Sequence, residues 1–164
     1  EKIKTIGDAY MCVAGVPDDR PAHALDAVLL ALGMLDEVER INAIRSKEGK
    51  ANWPIRIGLH SGPLTSGVVG EKKFAYDVWG STVNLASRME SNGEPGRINI
   101  SGTTYARIME FVEVVPRGPI QVKGKGEVQM YFLVRLKPSF SADRAGRMPN
   151  EELLQRREQW SLLP

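Results

Sequence analysis

The chain has little sulfur chemistry, few histidines and almost no surplus of charge. Its one cysteine, Cys12, excludes an internal disulfide framework and a multi-cysteine zinc site. Lys plus Arg is 22 and Asp plus Glu is 20, so the formal charge is only +2. That balance gives no general electrostatic case for a nucleic-acid partner. No apolar run approaches the ~20 residues of a membrane span, and no signal-peptide pattern opens the chain. Gly (16) and Pro (10) are near average usage, which excludes low complexity. No internal repeat is visible. The opening residue is Glu1 rather than methionine, and strand-like residues follow at once, so the sequence reads as a fragment of something longer.

What is present is enough for a core: 42% apolar residues in a chain of 164, the size of one ordinary domain. The class expected is a mixed α/β domain of a reducing compartment. Residues 1–17 read as two strands about Gly7-Asp8, a two-residue hairpin loop with glycine first. Residues 18–46 read as a helix capped by Asp18 or Asp19, with Pro21 in its first turn. Leu25, Val28, Leu29, Leu32 and Leu35 give it one apolar face, continued by Val38 and Ile41. Ile55, Ile57 and Leu59 alternate as a strand. The following GPLTSGVVG is glycine-rich, but no Gly-Lys-Ser/Thr follows it, so a phosphate-binding P-loop is unsupported. His60 has no second histidine or cysteine at ligand spacing, which favours a structural role at a strand end.

Phe74 to Trp79 reads as a strand, and Gly80-Ser81-Thr82 as the turn that caps a helix from Val83 to about Ser91. Val83, Ala86 and Met89 are its inward positions. Asn92-Gly93 stops it. Further strands are expected at 97–100, 112–115, 120–122 and 130–134, with a short helix from Ser101 to Met109 that turns Tyr105, Ile108 and Met109 inward. After Leu136 the periodicity ends. Residues 137–164 are expected as a partly irregular tail with a short helix behind Asn150, so that 1–136 is the domain proper.

Three features carry chemistry. Asp8 is a carboxylate at a hairpin tip, although most Gly-Asp pairs only form turns. Asn84 and Arg88 are four apart, so an amide and a guanidinium share a helix face and can reach one anion, a spacing also common on solvated helices. Lys123-Gly124-Lys125-Gly126 is a donor-rich loop suited to polyphosphate, or a solvated hairpin end with edge-protecting lysines.

Taken together and in order, IKTIGDAYM, YDVWGSTVNLASRME and VKGKGEVQMYFLV resemble the class III nucleotide cyclases. The resemblance implies an α+β, ferredoxin-like βαββαβ palm, here lacking its first strand. It implies a homodimer, a second copy of the same domain completing clefts in which ATP or GTP is cyclised. It implies two Mg²⁺ or Mn²⁺ ions per site, with Asp8 as one metal ligand and a second aspartate on the strand missing upstream. Lys4 and Asp77 fall on the base-reading pair, and the backbone at Val78 touches the base. An ammonium beside a carboxylate complements the N1 acceptor and amino donor of adenine, whereas guanine presents the reverse. Asn84 falls on the residue that orients the ribose, and Arg88 on the one that stabilises charge at the phosphates. Lys123 falls on the grip for the terminal phosphates, with Lys125 nearby. Since members of both halves of a cleft occur in one chain, a symmetric pair with two equivalent sites follows.

The reading is an adenylate cyclase that forms cyclic AMP and pyrophosphate from ATP. It acts in the cytoplasm or on the cytoplasmic side of a membrane protein, below an upstream regulatory domain. The rivals are a non-catalytic cyclase-like regulatory module and a guanylate cyclase. A diguanylate cyclase would need a Gly-Gly-Asp/Glu-Glu-Phe hairpin in place of Ile6-Gly7-Asp8-Ala9-Tyr10.

Overall fold

The computed structural model describes residues 1–161. Strands β1 (Lys2–Ile6) and β2 (Ala9–Cys12) pair antiparallel through a two-residue loop, Ile6 opposite Ala9. Gly7 has φ +61°, a left-handed value that a side chain would strain, so glycine is required where it stands. Helix α1 (His23–Lys47) follows. It begins later than its acidic residues suggest. Ala22 is the N-cap and no side chain caps it, because the chain first turns through Arg20, whose carbonyl accepts from His23 N–H at 3.0 Å. Its Leu25, Val28, Leu32 and Leu35 are buried as the spacing predicts.

β3 (Ile57–Leu59), β6 (Ile98–Ser101), β8 (Gly126–Leu136) and β7 (Val112–Val122) form one sheet in that spatial order. β3 runs parallel to β6, and the other pairs are antiparallel. Every residue of β6 is buried because both its faces are covered. Ile98 and Ile100 join α1 in the main core, with Leu133, Leu136 and Phe111. Asn99 points the other way, toward α2 (Ser81–Ser91), and its amide donates to the Met89 carbonyl at 2.8 Å. The short α3 (Gly102–Ile108) is capped by Ser101, whose hydroxyl accepts from Thr104 N–H. Met109 lies beyond it and is 54% exposed, not inward.

Two expectations about the strands also change. β4 (Thr65–Val69) is a strand where only turns were expected, and it exists through its pairing with β5 (Ala75–Trp79). β7 is one strand, not two. It is an edge strand, where Pro116 and Pro119 omit no needed ladder bond, and a register shift between Pro116 and Gly118 absorbs the extra residue. The α+β class and the ferredoxin-like palm are as expected. Among the described residues β1 and β2 pair only with each other, and β3 only with β6.

The segment after Leu136 packs on this core. A turn of 3-10 helix (Pro138–Phe140) and α4 (Glu151–Ser161) place Phe140 and Leu153 inside it, with Trp160 against Phe111. Asn150 caps α4, its side-chain oxygen accepting from Leu153 N–H at 3.0 Å. Arg157 pairs with Asp26 and Arg147 with Glu39, so the segment grips α1 at two places. No helix among the described residues is long and apolar enough to cross a membrane. Leu153→Ala is expected to lower unfolding free energy by about 2–5 kcal/mol, read by urea denaturation. A change within ~0.5 kcal/mol would show that α4 adds nothing to the core.

Candidate functional site

The sequence separates Lys4 and Asp77 by 73 positions, and the fold joins them. Lys4 lies on β1, and Asp77 lies on β5, where its neighbour Val78 turns into the interior and is 2% exposed. The Lys4 Nζ donates to Asp77 Oδ2 at 2.6 Å, and the Val78 backbone N–H donates to Asp77 Oδ1 at 2.9 Å. The carboxylate side chain is 17% exposed and the ammonium side chain 42%. Each Asp77 oxygen thus has its own donor. The Lys4 hydrogen bond, then the Val78 N–H, hold the Asp77 carboxyl below the usual carboxylate range. Asp8 stands exposed in the loop that follows β1, beyond the sheet.

α2 carries the next two residues. Asn84 and Arg88 are exposed on its outer face, while Thr82, Leu85 and Met89 are buried beneath them. Val83 and Ala86 are only half-buried, because the face turned to the sheet is the one that carries Thr82, Leu85 and Met89. Thr82 cannot serve as a cap here; its hydroxyl donates to the Pro63 carbonyl and ties the helix start to the segment before β4.

The end of α2 is held closely. A Cβ on Gly58 of β3 would lie 2.0 Å from Glu90 N and 2.6 Å from the Met89 carbonyl carbon, so only glycine allows the helix to approach the strand. The carbonyls of the last turn are also satisfied. Arg88 O accepts from the Asn92 backbone N–H at 3.1 Å and side-chain amide at 2.9 Å, Met89 O from Asn99, and Glu90 O from Gly93 N–H at 2.8 Å. Arg88 thus extends from a rigid helix end whose dipole favours a cation. The sequence reading missed Gly58. Its signal was a glycine at the one alternating position of an otherwise apolar strand.

Lys123 is exposed at the tip between β7 and β8, with Lys125 two residues on. Lys125 bears on His60, whose pKa lies below its ordinary value, first through burial and then through that positive charge. His60 Nδ1 lies 2.7 Å from Ser101 Oγ and 3.2 Å from Thr103 Oγ1, a structural hydroxyl cluster at the end of β3. Among the described residues no hydrogen bond or ion pair joins the side chains of Asp8, Asn84, Arg88 and Lys123 to one another or to the Lys4–Asp77 pair. For a divalent cation, Asp8 offers a hard carboxylate oxygen of the type Mg²⁺ takes, but the described residues contain no group of three metal-ligating side chains.

The adenylate and guanylate cyclase catalytic domain family matches residues 1–135. The soluble guanylate cyclase gcy-34 of Caenorhabditis elegans is 45% identical over 136 residues, 82% of this chain and 19% of that protein. An adenylate cyclase of Mycobacterium tuberculosis is 42% identical over 138 residues, 84% of this chain and 30% of that protein. The chain thus spans less than a third of the length of these relatives. Among solved structures, the guanylate cyclase domain of RhGC from Catenaria anguillulae in complex with GTP is 40% identical with a TM-score of 0.75, covering 83% of this chain and 72% of that one.

Replacing Lys4 by methionine is expected to raise the Asp77 titration midpoint, followed through its carboxyl carbon by NMR. The charged pair stabilises the fold above the ordinary carboxylate range and ceases to do so as pH falls through the depressed midpoint. An unmoved midpoint in Lys4→Met would mean that Lys4 does not hold the carboxylate.

Proposed function

Because the chain belongs to the adenylate and guanylate cyclase catalytic domain family, we propose that it is the catalytic domain of an adenylate cyclase, converting ATP to 3′,5′-cyclic AMP and pyrophosphate in a homodimer. The observation that carries the reading is the Lys4–Asp77 ion pair at 2.6 Å. Its ammonium donates toward adenine N1 and its carboxylate accepts from the 6-amino group. Guanine would set O6 against the carboxylate and N1–H against the ammonium, leaving buried polar groups unpaired. A guanosine substrate is the second reading, since guanylate cyclases are among the relatives at 45% identity. The chemistry of the pair weighs against it.

In the proposed reaction the ribose 3′-oxygen attacks the α-phosphorus, the bond from that phosphorus to the α–β bridging oxygen breaks as pyrophosphate leaves, and the hydroxyl proton passes to solvent water. Asn84 holds the ribose in line. Arg88 meets negative charge as it grows on the phosphates, which a bidentate guanidinium does better than a point charge. Lys123 grips the leaving pyrophosphate. Asp8 would bind Mg²⁺ or Mn²⁺, and such an ion when bound acidifies the hydroxyl and screens phosphate charge.

The pairing of two copies has its own support. Ile6, Tyr10, Val68 and Phe74 are exposed, 76% in the case of Phe74, on the same two hairpins that bear Asp8 and Asp77. Apolar side chains in that position suit a protein contact.

Two experiments on the full-length protein test this. Lys4→Glu with Asp77→Cys should shift preference from ATP toward GTP, and unchanged selectivity would refute the base-reading role. Asp8→Ala and Arg88→Ala chains, each inactive alone, should regain part of the activity when mixed, since one mixed site is intact. No recovery from demonstrated heterodimers would contradict a site shared between copies.

A further inference from the structure

We propose that Arg117 is a positioning residue that sets the span between the Lys123 hairpin and the Arg88 end of α2, an inference that rests on the functional reading above. β7 pairs Pro116 with Tyr131 and Gly118 with Met130, so Arg117 is the residue left over in the bulge. A bulge of this kind re-aims its side chain, and Gly118 at φ +86° permits the turn of the backbone.

The side chain goes to the end of α2. One guanidinium nitrogen donates to the Asn92 carbonyl, and the other lies 3.6 Å from Glu94 Oε1. The plane lies over the Phe132 ring at 4.1 Å from its centroid, and the side chain is 20% exposed. Asn92 is the residue whose backbone and side-chain amides both cap the Arg88 carbonyl. A short path therefore runs from the lysine tip along β7 to Arg117, to Asn92, and to Arg88. Among the described residues no other side-chain hydrogen bond or ion pair joins the long hairpin to the end of α2. A triphosphate held by Lys123 at one end and Arg88 at the other needs that span fixed, and a misplacement near 1 Å can cost about 10²-fold in rate.

Arg97 supplies a control from the same place. Its guanidinium also lies over Phe132, 3.5 Å from the centroid, and pairs with Glu94 at 3.5 Å, but it makes no bond to Asn92. The test compares Arg117→Ala, Arg117→Lys and Arg97→Ala in the full-length protein. The expected result is a fall of about ten-fold or more in kcat for both Arg117 variants, little change in nucleotide KM, and near-normal kcat for Arg97→Ala at a similar loss of melting temperature. Equal losses of kcat in the Arg97 and Arg117 variants, or full rescue by lysine, would overturn the proposal. Hydrogen exchange with inorganic pyrophosphate as probe gives a readout free of turnover. In the unaltered protein both the 122–126 tip and the 88–93 amides should slow, whereas in Arg117→Ala only the tip should. Transmission that persists in Arg117→Ala overturns the proposal alone. Absence of any protection at the tip of the unaltered protein overturns the phosphate role of Lys123, and the proposal with it.

Discussion

The contact between the Lys4 ammonium and the Asp77 carboxylate holds two separate pieces of this fold in register. β1–β2 is a hairpin with no sheet partner among the described residues, and β4–β5 is another. Neither has a large core of its own. A charge-assisted bond with a mostly buried carboxylate ties one to the other, and the Val78 N–H fixes the carboxylate's orientation. The pair can be exchanged neither for two apolar residues nor for a reversed pair without changing what the adjoining surface can hydrogen-bond. The tie between the two hairpins and the proposed base-reading role thus fall on the same two side chains.

The second constraint is close packing of α2. Gly58, Asn99 and Phe132 form a cross-strand row on the α2 face of the main sheet. The three contribute differently. Gly58 leaves room, Asn99 caps the Met89 carbonyl, and Phe132 gives the two arginines a surface. The opposite face is an ordinary apolar core against α1, extended by Phe140, Leu153 and Trp160 from the segment beyond the family match. One face of the sheet therefore maintains the fold, and the other maintains the position of Arg88.

Local signals were legible in the sequence. The Gly7-Asp8 turn, the apolar stripe of α1 and the Asn150 cap all depend on neighbours within a few residues, and each reads correctly. Long-range features were not. β4 is a strand only because β5 lies beside it, and Pro116 and Pro119 look like strand breakers until β7 is known to be an edge. The α1 start was misplaced because Asp18 and Asp19 resemble caps, while the turn at Arg20 sets the helix entry. The association of Lys4 with Asp77 followed from family resemblance alone, since no spacing rule joins positions 73 apart. Gly58 gives no local sign of what it does, because that lies in the helix that approaches it.

The most direct measurement is the ratio of kcat/KM for ATP over GTP in the unaltered full-length protein, with cyclic products separated and quantified. An adenine-complementary pair that leaves mismatched polar groups unpaired predicts a preference for ATP of about 10²-fold or more. A ratio near one, or in favour of GTP, would contradict the account.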